Sequence, residues 1–120
     1  MTAEYMLTPV LPDTYSVRAL KTLDDFVVQA RHHDNELLTC GILLNRMAGG
    51  EKHTHSIVAG FVRKQRGEAV FRATLPASVV YEKAIAGRVF VVEDDPRGKA
   101  AEAIRAVAEE LVDRLGRDLP

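Results

Sequence analysis

The sequence predicts an α/β fold: a layered, three-stranded, mainly parallel sheet with crossover helices, in a single domain over residues 1–120. Two observations predict it. Short apolar runs alternate with amphipathic stretches of a dozen or more residues, the order that builds parallel strands joined by right-handed crossovers. One of those runs, residues 37–44 (LLTCGILL), is apolar almost without a break, as a strand covered on both faces requires.

The elements follow in order. Residues 5–11 (YMLTPVL) read as a strand, with Pro9 giving up one ladder bond so that the strand ends or bends there. Asp13 or Thr14 after Pro12 can cap a helix. Val17, Leu20, Leu23, Phe26 or Val27, and Ala30 then recur at helical spacing as far as about His32. A loop at residues 33–35 leads into the 37–44 strand, which Asn45-Arg46 closes. Residues 48–51 are a flexible loop. Residues 54–65 form a second helix with Ile57, Val58 and Phe61 inward, and Gly67 supplies its C-terminal stop. Residues 69–75 (AVFRATL) are the third strand, and residues 79–86 a short helix. Residues 88–92 (RVFVV) are a fourth extended segment, at a sheet edge or only loosely paired. Ala100, Ile104, Val107, Ala108, Leu111 and Leu115 line the apolar face of the last helix.

Composition excludes several classes of function. A net charge of −1 gives no global basic field for nucleic acid, so any DNA contact needs a local patch. Arg63, Lys64, Arg66 and Arg72 form such a cluster, and Arg18, Lys21 and Arg31 a second stripe. The single cysteine, Cys40, forms no intramolecular disulfide and reads as a buried, inert thiol. No apolar run approaches the roughly 20 residues that span a bilayer, and the N-terminus carries no secretory leader pattern. A cytoplasmic location follows as the expectation, without a membrane partner.

The chemical motifs are sparse. Gly49-Gly50-Glu51-Lys52-His53-Thr54 stands where a phosphate loop would, between a strand and a helix, but its lysine and hydroxyl spacing is wrong for one. His32, His33, His53 and His55 form two close pairs with no cysteine nearby, and read as solvated rather than as a zinc site. Glu93-Asp94-Asp95 precedes a helix and suits its positive N-terminus. There is no Gly-x-Ser-x-Gly elbow.

The order of parts resembles the C-terminal half of the ParA/MinD-like (Soj-type) partition ATPases, a deviant-Walker P-loop NTPase group. Residues 5–20 look like the strand, proline-bounded acidic loop and helix that follow the second switch region. Residues 38–46 (LTCGILLNR) look like the next strand with its Asn ending. Residues 70–76 and 81–86 are similar to the "Ile-Pro … Glu-Ala" element, and Gly87 with residues 95–101 (DPRGKAA) to the "Asp-Pro-x-Ser-x-Ala-Ala" ending, with Gly98 in place of the serine. The resemblance covers about residues 4–116.

The resemblance implies that Asn45 contacts an adenine edge and that Pro76 and Ala77 line the base pocket. ATP or ADP is then the implied ligand, with no cofactor held by this chain alone. The phosphate-loop lysines, switch aspartates and magnesium-binding residues of the family have no counterpart here, so the expectation is a non-catalytic chain, without ATPase activity unless a P-loop half complements it. An accessory or interaction role in plasmid or chromosome partition follows, as does an association with the nucleoid through non-specific DNA. The strand at residues 5–11 would lack its family neighbour. Homo-oligomerisation or a P-loop-containing protein partner is therefore expected at that edge. The other reading is an independent small α/β module for protein binding or regulation, or a truncated fragment without activity of its own.

Overall fold

The computed structural model describes residues 5–33, 38–48 and 54–118. Strand β1 (Tyr5–Val10) leads to helix α1 (Thr14–His33), strand β2 (Leu38–Leu44), helix α2 (Thr54–Arg66) and a 3-10 turn (Gly67–Ala69). Helix α3 (Val79–Gly87), the single-turn helix α4 (Val91–Asp94) and helix α5 (Lys99–Asp118) complete the chain. No helix among the described residues is long and apolar enough to cross a membrane.

The strands are parallel, as expected, and pair from Tyr5↔Leu38 to Val10↔Leu44. Pro9 sits within β1 opposite Leu43, and among the described residues β1 is an edge strand, where a missing N–H costs least. The register slips between Met6, opposite Thr39, and Leu7, opposite Gly41. Cys40 is therefore the extra residue of a bulge. Gly41 completes that bulge at φ 139°, a backbone conformation that a side chain disfavours. The side chain of Cys40 lies outside the described residues.

The sheet of the described residues has two strands, not the expected three. Residues 70–77 do run parallel to β2 and the residues after it, with isolated bridges at Ile42↔Val70 on β2 and Met47↔Pro76 just beyond it. Phe71 N–H donates to the Ile42 carbonyl at 2.8 Å and Leu75 N–H to that of Leu44 at 3.0 Å. Between them the ladder is broken because the N–H groups of Arg72 and Ala73 turn to the Glu110 carboxylate on α5, at 2.9 and 2.8 Å. A side chain supplies acceptors to a segment whose composition suits a strand.

The expected extended segment at residues 88–92 is also corrected. Helix α3 runs through Gly87, and Arg88 adopts the left-handed conformation, φ 55° and ψ 40°. Val89 N–H returns to the Ala84 carbonyl at 3.0 Å, a Schellman-type closure. Asp94 N–H to Phe90 and Asp95 N–H to Val91 then close the turn of α4. Val91 and Val92 pack with Ala84, Ala100 and Ala101, so burial against α3 and α5 overrides the β propensity of the valines. Arg88→Gly should raise stability by about 0.5–1 kcal/mol, since glycine removes the left-handed penalty at some cost in unfolded-state entropy. A thermal melt reads the gain; a lowered midpoint would show that the arginine side chain contributes more than its backbone costs.

The core on one sheet face joins Val10, Leu20, Ile42, Leu44, Ala59, Val62 and Val70. Helix α1 enters it through an N-terminal cap, Ser16 N–H to Asp13 Oδ1 at 2.7 Å, and α1 and α2 are joined by the Arg66–Asp24 ion pair. On α2 the inward residues are Ala59 and Val62, with Val58 partly covered, whereas Ile57 and Phe61 are exposed. Phe26 of α1 is exposed and Val27 buried. Alternation along β2 turns Gly41 and Leu43 to the opposite face, where Phe71 and Arg114 approach Gly41.

Candidate functional site

The three residues carried over from the resemblance converge. Asn45 stands directly after β2, and Pro76 and Ala77 end the segment beside it. Together with Arg46, Tyr81 of α3 and Ile104 of α5 they line a cleft of about 590 Å3. The cleft lies beyond the C-terminal ends of parallel strands, where α/β folds collect ligands.

Backbone bonds fix its walls. Asn45 N–H donates to the Val10 carbonyl at 2.9 Å, Met47 N–H to Leu75 at 2.9 Å and Ala77 N–H to Met47 at 2.9 Å. Arg46 turns the chain in the left-handed conformation, φ 55°, and its N–H is received by Asn45 Oδ1 at 2.9 Å. That bond orients the Asn45 amide and leaves its NH2 group to donate to a ring-nitrogen acceptor. Ser78 caps α3 through Val80 N–H to Ser78 Oγ at 3.2 Å, which starts the helix that carries Tyr81. Burial pushes the Tyr81 hydroxyl pKa up, so it stays a neutral donor, to the Ala100 carbonyl at 3.4 Å. The cleft wall is chiefly apolar in area, with Asn45, Arg46, Ser78, Tyr81 and Glu82 supplying its polar groups, a make-up that suits a small-molecule site.

The basic cluster divides. Arg63 spans the carbonyls of Phe71 at 3.0 Å and Arg72 at 3.4 Å, and Arg66 is held by Asp24 at 2.9 Å. Both also sit in the last turn of α2, where positive charge suits the helix C-terminus. Lys64 and Arg72 are exposed. Two of the four candidate DNA contacts thus have internal roles in holding residues 71–72 and α1.

The phosphate-loop-like residues 49–53 and the side chains of His32 and His33 lie outside the described residues. His55 Nδ1 accepts the Ala48 N–H at 3.0 Å. Among the described residues no group of three His, Cys, Asp or Glu could hold a metal ion. At Gly98, where the family pattern has serine, the Asp95 carboxylate occupies the place a side chain would start from.

Sequence reasoning missed Glu110, which is only 9% exposed. Arg114 binds it through Nη2 at 2.9 Å and Nε at 3.1 Å. The same guanidinium reaches the Val70 carbonyl at 2.9 Å and lies 4.2 Å from the centroid of the Phe71 ring. The available signal was an i,i+4 acid–base pair placed three residues after Val107 on the inward side of α5.

A second concavity, about 550 Å3, lies between β1 and α1 and is lined by Pro9, Ala19, Leu23 and Phe26 among others. Its β1 wall is Thr8, Pro9 and Val10, in a strand that pairs with β2 alone among the described residues.

No protein-family model matches the chain, and no curated protein matches it. Among solved structures the chain is similar to Cyanothece McdA, in the structure of an aspartate-to-alanine variant in complex with ATP. The TM-score is 0.70 at 16% identity, over 95% of this chain and 44% of that one. The likeness shows a ParA-like fold. The chain spans less than half the length of that neighbour.

Proposed function

We propose that these residues form the base-binding half of a ParA-like fold, and that they act as a non-catalytic interaction or accessory module in plasmid or chromosome partition. The cleft of Asn45, Pro76 and Ala77 would receive the adenine of ATP or ADP. One observation carries this reading: Asn45 and the Pro76-Ala77 pair, two separate stretches of the sequence, meet in a single cleft at strand C-termini, in a chain whose fold matches that of an ATP-bound protein.

The residues that cradle phosphates and magnesium in phosphoryl transfer have no recognisable counterpart in the sequence. Turnover would require a P-loop-bearing half, and the edge of β1 with its apolar groove is where that half or a second copy would complete the sheet. Exposed Lys64 and Arg72 would supply what DNA contact there is, in a cytoplasmic, nucleoid-associated setting.

The test is calorimetric titration with ATP and ADP, with and without magnesium, on the wild type and Asn45→Ala. Losing one amide hydrogen bond should weaken binding roughly tenfold. Unchanged affinity would remove the base pocket and leave the second reading, a protein-binding module. The apolar groove beside β1 favours that second reading. Light scattering across concentrations, with and without ATP, separates the two: nucleotide-responsive association supports the first, and a nucleotide-indifferent monomer opposes it.

A further inference from the structure

We propose that Glu110 is a positioning residue of the cleft: by holding the N–H groups of Arg72 and Ala73, it sets where Pro76 and Ala77 stand opposite Asn45. The proposal takes its ligand, though not its geometry, from the nucleotide reading above.

Residues 70–77 are attached to β2 at two places. The first is the Phe71 N–H bond to Ile42, and the second is the exchange of bonds among Leu44, Met47, Leu75 and Ala77. Between these anchors the chain bows away from β2, and the described bonds of Arg72 and Ala73 N–H go to the two oxygens of Glu110. The length taken up by this bow decides how far along β2 the second anchor falls. That anchor carries Pro76 and Ala77 into the cleft wall.

Glu110 is itself held. Arg114 grips it through two nitrogens and grips the start of the bow at the Val70 and Ala69 carbonyls. Helix α5 also gives Ile104 to the cleft directly, about 9 Å along the axis from Glu110 at 1.5 Å per residue. One rigid helix therefore places two walls of the cleft, one through Ile104 and one through Glu110. A buried carboxylate accepting two consecutive backbone N–H groups is a strong, oriented contact, suited to fixing a short arc of chain.

The test compares Glu110→Gln with Leu20→Ala, a core truncation on α1 that touches neither α5 nor the cleft. Glutamine keeps the size but has one acceptor oxygen, so one N–H must let go. In ligand-free, nitrogen-15-labelled protein, Glu110→Gln should displace the Asn45 side-chain amide and Ala77 N–H resonances, while Leu20→Ala lowers the thermal midpoint and leaves both near their wild-type positions. Affinity for ATP and ADP should fall roughly tenfold in Glu110→Gln and stay within about twofold in Leu20→Ala. Should Glu110→Gln not fold, Arg114→Lys, which keeps the charge and loses the two-nitrogen grip, should give a smaller displacement of the same resonances. Wild-type resonances at Asn45 and Ala77 in the folded variants would overturn the proposal. Displaced resonances in a protein that binds no nucleotide would sink the base-pocket reading alone and leave the positioning role standing.

Discussion

Glu110→Ala should cost about 3–5 kcal/mol, the usual loss when one partner of a buried pair is removed. The variant takes the acceptors from the N–H groups of Arg72 and Ala73 and removes the carboxylate that the largely buried Arg114 guanidinium grips. Domains of this size hold about 5–15 kcal/mol in total, so the midpoint of urea unfolding should fall by a large fraction. A loss below about 1 kcal/mol would mean that residues 70–77 stay on β2 through their own bonds. The same contact gives stability a pH dependence. Burial pushes the Glu110 carboxyl up, but the N–H groups of Ala73 and Arg72 together with Arg114 outweigh it, and the net result lies below the ordinary value. A carboxyl depressed in the folded state stabilises fully above its unfolded pKa, and the contribution fades as pH falls through the folded one. Urea midpoints should therefore drop from neutral pH toward about pH 3, with a smaller drop in Glu110→Gln. Equal slopes would remove Glu110 from the acid sensitivity.

Gly41→Ala should cost about 3 kcal/mol or more, combining backbone strain with overpacking. At φ 139° alanine is strained before any neighbour is considered. Its Cβ would stand 2.5 Å from the Ala69 carbonyl, 2.6 Å from Arg114 Nη1 and 3.0 Å from Phe71 Cε1. Of the three only the guanidinium can move, and moving it weakens its grip on Val70 and Glu110. The effects of Gly41→Ala and Glu110→Ala should therefore fall short of additive in the double variant. Denaturant unfolding of the two singles and the double measures the coupling; strict additivity would mean that Arg114 does not link them.

Much of the fold was legible because local chemistry and tertiary packing agree there. The apolar run at residues 37–44 is a strand, Asp13 caps α1, and Gly67, at φ 55°, stands where α2 stops. Where they disagree, packing decides. Residues 69–75 carry a strand's composition, but two of their N–H groups belong to a side chain about 40 residues away, and no local pattern encodes that. Residues 88–92 lost their extended reading because Arg88, rather than Gly87, takes the left-handed turn. On α2, Ile57 and Phe61 face out while Ala59 and Val62 face in, because small side chains let that helix approach the sheet. Asn45 was legible as a strand-ending residue, Pro76 and Ala77 only through the resemblance, and their meeting in one cleft follows from parallel segments ending on one side. Arg46 and Ile104, which share the cleft, carry no local mark of a site.

The bow at Glu110 bears on the stoichiometry of any assembly. Among the described residues, of the two flanks of this small sheet only β1 offers a backbone edge to an incoming strand, and Pro9 thins even that edge by one donor. The opposite flank, residues 70–77, has two of its N–H groups already committed to α5. A body with one open flank and one occupied flank can add a strand on one side alone. If the chain associates by adding strands to this sheet, the expected limit is two bodies, because open-ended growth needs a second face for strand addition.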